Sequence, residues 1–238
     1  MKRVPEPELM DEAEQARAYA EADFSEPNQL FVETFRRQFP RFDGQSILDL
    51  GCGPADICLR LAREFPRSRV VGVDGAPAML RLARAAVEGA GLAGRIELVQ
   101  ARLGAAQGPS GRYDAVVSNS LLQHLAEPGV LWEAVWAHGA PGAAILVMDL
   151  MRPDSPAAAR GLVETYSADE PDVLRRDFYN SLLAAYRLEE VRAQLERAGL
   201  DGLVCEAASD RHLLVRGVRP ARRHAPPVQG AGALSASG

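Results

Sequence analysis

The stretch that most constrains this chain is Ser46–Pro54, where a short apolar run leads directly into a glycine-rich turn. Apolar residues with helical spacing follow over residues 56–65. A buried strand, a tight turn and a helix in this order form the first unit of a doubly wound α/β sheet. Gly51 and Gly53 lack a Cβ, so they can adopt positive φ and let a ligand lie against the backbone.

A second apolar strand, residues 69–74, ends in Asp74 about 20 residues after the glycine turn. A carboxylate at this place can accept hydrogen bonds from both hydroxyls of a ribose. A dinucleotide fingerprint would need a third glycine, but Asp56 stands at that position. Asp49, near the end of the first strand, would also repel a pyrophosphate and suits a cationic ligand instead.

The run from Ile47 to Asp56, Ile-Leu-Asp-Leu-Gly-Cys-Gly-Pro-Ala-Asp, closely resembles the first motif of class I S-adenosylmethionine-dependent methyltransferases. Residues 74–83 resemble the second motif of that family. Residues 118–125 resemble the fourth motif in its small-molecule form, as in the ubiquinone/menaquinone-type enzymes. The resemblance covers about residues 45–217. It implies a Rossmann-like sheet of seven strands in the order 3-2-1-4-5-7-6, with strand 7 antiparallel and helices on both faces.

The resemblance also implies S-adenosylmethionine as the cofactor and assigns residues to it. The expected cofactor residues in this domain are Asp49, Gly51, Cys52, Gly53, Asp74, Gly75, Met79, Arg102, Leu103 and Asn119. Core packing explains Met79 almost as well. Arg102 departs from the family pattern, because it stands where an acid usually meets the adenine amino group and an arginine cannot accept that bond. Backbone groups of Arg102 and Leu103 are the expected replacement.

Two residues are candidates for catalysis of transfer to an acceptor. His124, expected to open the helix after the fourth strand, can remove a proton from a nucleophile. The alternative is a histidine packed at a helix start. Tyr179 lies in residues 152–181, which interrupt the strand–helix alternation and suggest a cap over the substrate or a surface αα-hairpin.

The domain organisation follows from the composition. Residues 1–44 are predicted to form a helical lid in two pieces, broken at Pro27, and Tyr19 on the first piece is a further candidate for contacting the cofactor or for simple packing. Residues 45–218 are the predicted methyltransferase domain with its insertion at 152–181. Residues 219–238 have almost nothing to bury and are predicted to be a disordered tail.

Bulk properties narrow the function classes. The 238 residues carry a formal net charge of −5, which argues against a nucleic-acid partner. Three cysteines without a Cys-x-x-Cys pair predict reduced thiols in a cytoplasmic setting and no metal site. No signal peptide or membrane span is expected. The oligomeric state is not readable from this pattern.

The sequence therefore predicts methyl transfer to a small-molecule acceptor, without naming it. A tRNA or protein methyltransferase remains open, because Arg36, Arg37 and Arg41 could form a basic face with the arginine-rich tail. A nicotinamide-dependent Rossmann enzyme is disfavoured by the missing glycine. A non-catalytic S-adenosylmethionine-binding protein stays possible because of Arg102.

Overall fold

The computed structural model describes residues 1–6, 24–105 and 108–223. Within those ranges seven strands form one sheet: β1 Ser46–Leu50, β2 Arg69–Asp74, β3 Ile96–Gln100, β4 Tyr113–Asn119, β5 Gly139–Leu150, β6 Val204–Ala207 and β7 His212–Val218. Their order in the sheet is β3-β2-β1-β4-β5-β7-β6. β1 pairs in parallel with β2 and β4, whereas β7 runs antiparallel between β5 and β6. The predicted sheet order and strand direction are confirmed.

The helices pack on both faces of this sheet. They are α1 Ser25–Gln38, α2 Asp56–Glu64, α3 Pro77–Gly89, α4 Gly129–His138, α5 Pro156–Tyr166, α6 Asp172–Ala184 and α7 Leu188–Ala198, together with a short 3-10 turn at Leu122–His124. Because successive strand residues point to opposite faces, Ile47 joins the core beneath α1 to α3 and Leu48 joins the core beneath α4 and α7. Both faces of the central strands are thus buried, as a parallel sheet requires.

Several helix boundaries follow local signals. Gly199 ends α7 in the left-handed conformation, with φ of 69°. Ser155 caps α5 by accepting a hydrogen bond from the Ala158 N–H at 3.1 Å. Trp132 belongs to the core of the α4 face, where its indole N–H donates to Gln194 Oε1 at 3.0 Å.

Three local expectations were wrong. Pro27 does not break a helix but lies in the first turn of α1, where its missing N–H costs nothing. His124 does not open a long helix, since it ends a 3-10 turn and the next α-helix starts at Gly129. The ordered chain also extends past residue 218: Arg219 packs over the Trp136 ring at 4.2 Å, and Arg223 forms an ion pair with Glu133.

Residues 152–181 form a helical hairpin, because α5 and α6 lie against each other. Its small core includes Ala159, Val163 and Leu182. The first piece of the predicted lid and residues 224–238 lie outside the described ranges. Within the described part of the chain, no helix combines the length and apolar character needed to cross a membrane.

Candidate active site

A cavity of about 260 Å³ opens at the carboxyl ends of β1, β2 and β4. This is the point where the strand order reverses, because β1 continues to β2 on one side and to β4 on the other. In open α/β sheets, ligands bind in the crevice at this switch point. The predicted cofactor residues that line the cavity are Asp49, Gly51, Cys52, Gly53, Asp74, Gly75, Met79, Arg102, Leu103 and Asn119.

Backbone hydrogen bonds fix the conformation of the turn after β1. The N–H groups of Gly51 and Cys52 donate to the Val73 carbonyl at 2.8 and 3.0 Å, which ties the turn to β2. Gly51 and Gly53 have φ of 76° and 52°. A Cβ on Gly51 would lie 2.7 Å from Leu121, whereas a Cβ on Gly53 would meet only open space in the cavity. The turn therefore provides a bare backbone cradle.

Asp74 connects the two turns that border the cavity. Its Oδ2 accepts the Gly53 N–H at 2.8 Å, and its Oδ1 accepts the Ala76 N–H at 2.8 Å. Burial raises the pKa of Asp74, and these backbone hydrogen bonds partly oppose that rise. Each carboxylate oxygen has a second lone pair, so the group can still accept bonds from a diol.

Asp49 is a buried carboxyl on the floor of the cavity, with only 1% of its surface exposed. Burial raises its pKa to about 7, the Cys58 thiol that donates to Oδ2 at 3.2 Å opposes the rise, and the nearby Asp74 adds to it. A buried carboxyl that is costly to ionise alone would be stabilised in its charged form by a cation in the cavity. Among the described residues, no side-chain cluster suitable for a metal ion is present.

Another wall of the cavity is formed by the turn after β2 and by the residues after β3. Gly75 and Met79 line one side, and Arg102 and Leu103 line the other. Met79 is 3% exposed and packs against Ala78, so it serves the core and the cavity together. The Arg102 side chain is exposed at the cavity edge.

Helix α1 closes the cavity from the side of Asn119. Asn28 donates to Asp56 Oδ2 at 2.8 Å and approaches the Asn119 side chain at 3.5 Å. The Arg60 guanidinium also donates to Asp56, at 2.7 Å. Sequence reasoning missed Asn28 and Asp56, since nothing local to either residue indicates that α1 reaches the end of β4.

His124 also lines the cavity, and a carboxylate that sequence reasoning missed holds its turn in place. Asp149, 1% exposed at the end of β5, accepts the backbone N–H groups of Leu121 and Leu122 at 2.9 and 2.6 Å. Burial raises the pKa of Asp149 to about 6, against the opposing effect of these backbone bonds and of the nearby His124. The acid at the end of an apolar strand was the available signal.

The other candidates lie elsewhere. Tyr179 is on α6, packs with the core of the helical hairpin and approaches the Arg160 guanidinium at 3.5 Å. It is not among the described residues that line the cavity. Tyr19 falls outside the described residues.

Comparison with known proteins agrees with this geometry. Residues 47–142 match the family model of a methyltransferase domain. The chain is 32% identical over 118 residues to trans-aconitate 2-methyltransferase from Azoarcus sp., covering 50% of this chain and 44% of that protein. It is 34% identical over 117 residues to demethylmenaquinone methyltransferase from Thermus thermophilus, covering 49% and 51%. The chain thus spans about half the length of these relatives.

A longer alignment, 25% identical over 174 residues, relates the chain to the ubiquinone/menaquinone biosynthesis C-methyltransferase UbiE of Escherichia fergusonii and covers 67% of this chain and 68% of that protein. The plantazolicin methyltransferase BpumL in complex with SAH superposes with a TM-score of 0.65 at 14% identity, covering 86% of this chain and 91% of that one. An Aquifex aeolicus SAM-dependent methyltransferase gives 0.61 at 18% identity, covering 85% and 97%. At these identities the two structures show the shared fold.

The sheet order and the fold of this chain are shared with solved S-adenosylmethionine-dependent methyltransferases. Residues 47–142 match the model of a methyltransferase domain, and they are similar in sequence to enzymes named for small-molecule acceptors.

Proposed function

We propose that this chain transfers a methyl group from S-adenosylmethionine to a small-molecule acceptor. The observation that carries the proposal is the pair of carboxyls, buried Asp49 and half-buried Asp74, on a bare glycine cradle at the switch point. The Asp49 carboxyl suits a cationic group, and the Asp74 carboxyl suits a diol. S-adenosylmethionine carries an ammonium, a sulfonium and a ribose, and it has no phosphate that these acids would repel.

The residues fit this cofactor in distinct roles. Asp74 is proposed to hold the ribose hydroxyls, while Asp49, the Gly51–Gly53 backbone and Asn119 surround the methionine end. Met79 and Leu103 are proposed to pack on the adenine, with Gly75 and the backbone of Arg102 at its edge. Cys52 lines the cavity beside the cradle, 6% exposed. When bound, the cofactor supplies a methyl group that its sulfonium already activates.

The chain's own task is to align the acceptor and exclude water. Well-aligned reactants can contribute about 7–11 kcal/mol of barrier lowering. Helix α1 borders the cavity through Phe24, Ser25 and Asn28, and we propose that residues 1–44 act as its lid. The α5–α6 hairpin would cap the acceptor side, with Tyr179 as a peripheral contact.

His124 is proposed as the general base for an acceptor that carries a proton on its nucleophile. Its imidazole lines the cavity together with Ser120 and Leu121. A neutral imidazole takes a proton near neutral pH, so it can remove one from a hydroxyl or enol as the methyl group is transferred.

The charges around the cavity favour one class of acceptor. Asp49, Asp56 and Asp74 line it, and Arg60 is already paired with Asp56. Those acids lie on the cofactor side, and the described lining residues beside His124, which are Ser120, Leu121 and Leu125, carry no positive charge that would bind a polycarboxylate such as trans-aconitate, named for one relative. We therefore propose an uncharged acceptor with a hydroxyl or enol group, such as the quinol class indicated by another relative's name. The net charge of −5 likewise favours a small molecule over tRNA.

The test is the formation of S-adenosylhomocysteine by the full chain with three acceptors: a demethylmenaquinol analogue, a simple catechol and trans-aconitate. We expect turnover with the hydroxyl-bearing rings and little with trans-aconitate. His124→Gln should lower turnover by about 100-fold or more while S-adenosylmethionine still binds. The matched control is His138→Gln, since His138 lies in the last turn of α4 and outside the cavity lining.

Turnover of trans-aconitate but not of the rings would contradict the proposed acceptor class. Cofactor binding with no turnover of any acceptor would point instead to the non-catalytic alternative.

A further inference from the structure

The first six residues of the chain are built into the acceptor side of the site. The Arg3 guanidinium donates to the carbonyls of Gln123 and Leu125 at 2.8 and 3.1 Å, and also to the Ala184 carbonyl at the end of α6. The Arg3 Cζ atom lies 4.1 Å from the centre of the Tyr186 ring. Arg3 therefore fastens this segment to both sides of the turn that carries His124.

Glu6, at the end of the described segment, reaches His124 directly. Its Oε1 lies 3.0 Å from His124 Nδ1, an ion-pair distance, and the two side chains are only 12% and 13% exposed. The Ser181 hydroxyl on α6 donates to Oε1 and Oε2 at 3.1 and 3.2 Å. A carboxylate this close to a largely buried imidazole stabilises its protonated form.

The neighbouring amide indicates which nitrogen of His124 carries the proton. Gln123 Nε2 donates to the Ser120 carbonyl at 3.2 Å, and it lies 3.4 Å from His124 Nε2. An amide nitrogen only donates, so the facing Nε2 must act as the acceptor in the neutral ring. The proton is then on Nδ1, which faces Glu6. The Gln123 contact is long, so it can give way to an acceptor hydroxyl.

We infer that Glu6 is a positioning residue for His124, resting on the base role assigned above. Its carboxylate keeps the imidazole in the Nδ1–H form, so that Nε2 is left to take the proton from the acceptor hydroxyl. It then balances the positive charge of the imidazolium that results. Sequence reasoning missed this residue because 118 positions separate Glu6 from His124.

Other charges also act on this imidazole. Asp74 at the end of β2 and Asp149 at the end of β5 both interact electrostatically with His124. The Arg3 guanidinium, held on the Gln123 and Leu125 carbonyls, acts in the opposite direction. Because these groups keep their charges when Glu6 is changed to Gln, the contribution of the Glu6 charge can be isolated.

The experiment is an NMR titration of histidine-labelled full chain, with the signals of His124 assigned by their loss in His124→Gln. The chain has four histidines, so the spectrum is simple. Glu6→Gln removes the charge and keeps the shape. We expect the pKa of His124 to fall by about one unit, because a negative charge no longer favours the imidazolium, and the Nδ1–H tautomer to lose population.

Two controls separate this effect from loosening of the segment. Ser181→Ala removes the hydroxyl that holds Glu6 but keeps the carboxylate, and Glu26→Gln removes an exposed charge in the first turn of α1. Both should titrate close to wild type. A Glu6→Gln protein that titrates like wild type, or a Ser181→Ala protein with the same fall as Glu6→Gln, overturns the inference.

Steady-state kinetics with an acceptor that the wild-type chain methylates then separates the inference from the proposed function. Glu6→Gln should lower kcat on the order of tenfold and leave the KM for S-adenosylmethionine unchanged. Wild-type turnover by His124→Gln, with the pKa shift in Glu6→Gln intact, would overturn the base role alone.

Discussion

The two sides of the cavity are built in different ways. Most of the cofactor side comes from one continuous stretch, β1 to α3, where Asp74 accepts hydrogen bonds from the neighbouring turns at Gly53 and Ala76. The acceptor side is assembled from distant segments. Asp149 from β5 holds the turn of His124, Glu6 from the N-terminal segment contacts its imidazole, and Ser181 of α6 holds Glu6.

This difference explains what each side can tolerate. A strand, a turn and a helix in sequence determine the cofactor side, so its residue types and spacing are fixed by local geometry. The acceptor side depends on long-range contacts that can be exchanged without altering the sheet. A common cofactor site with a variable acceptor site is the expected result of building function onto one fold.

The largest effect should come from Asp74→Asn. The change removes a negative charge that holds Gly53 and Ala76 and would hold the ribose, so affinity for S-adenosylmethionine should fall at least about 100-fold. Calorimetry measures it. The matched control is Asp114→Asn, because Asp114 also accepts two backbone N–H groups, at 2.8 and 3.0 Å, but outside the cavity lining. Equal losses of S-adenosylmethionine affinity in both variants would show that the position of Asp74 in the cavity does not matter.

A smaller effect should separate the two glycines of the cradle. Gly53→Ala places a methyl group in the cavity, so cofactor affinity should fall by tens of fold, while unfolding free energy drops by only about 1–2 kcal/mol. Gly51→Ala should cost more stability, because its Cβ also meets Leu121 at 2.7 Å. Chemical denaturation and calorimetry of both proteins check this. Equal stability of the two variants would contradict the account.

Asp149→Asn should affect the acceptor side alone. The variant weakens the hydrogen bonds from Leu121 and Leu122, so the His124 turn should loosen and kcat should fall about tenfold, with about 1–3 kcal/mol lost from stability. Affinity for S-adenosylmethionine should change little. Steady-state kinetics beside calorimetry tests this, and a large loss of cofactor affinity would show that the two sides are not separable.

The smallest effect is a pH dependence on the cofactor side. The pKa of Asp49 is raised to about 7, and a bound cation should lower it. Affinity for S-adenosylmethionine should therefore rise by just under tenfold from about pH 6 to pH 8, with proton release on binding. Calorimetry in buffers of different ionisation enthalpy measures both. Asp49→Asn should abolish the slope, and a slope that survives this change would assign it to another group.

The ligand-free protein should respond to pH in the opposite direction. The folded pKa of Asp49, about 7, exceeds its ordinary value of 3.8. The neutral form is therefore favoured by folding, so its contribution to stability is complete below about pH 4 and is lost as the pH rises through about 7. Asp149, with a pKa raised from 3.8 to about 6, adds to the same trend.

Much of the fold was predictable because its signals are local. The apolar runs that became β1 and β2 and the glycine that ends α7 each act within a few residues. Pro27 was misjudged because a proline is accepted in the first turn of a helix as readily as it breaks a later one. Arg219 was assigned to a disordered tail because its stacking on Trp136 is a tertiary contact.

The site divides in the same way. Asp49 and the two glycines were predicted from the first motif and Asp74 from the end of the next strand, and all four lie together on the cavity wall. Asn28, Asp149 and Glu6 were not, because their roles depend on which segments the folded sheet brings together. Tyr179 lies on the hairpin and not among the described residues that line the cavity, so its contact with an acceptor stays a prediction.

The measurement that tests the central claim most directly is calorimetric titration of the full chain with S-adenosylmethionine and S-adenosylhomocysteine, after removal of any copurified ligand, beside Asp74→Asn and Asp114→Asn. The account predicts one site that binds both compounds in the wild type and in Asp114→Asn, and weak or undetectable binding in Asp74→Asn. Absence of binding to the wild type, or unchanged binding in Asp74→Asn, would contradict it.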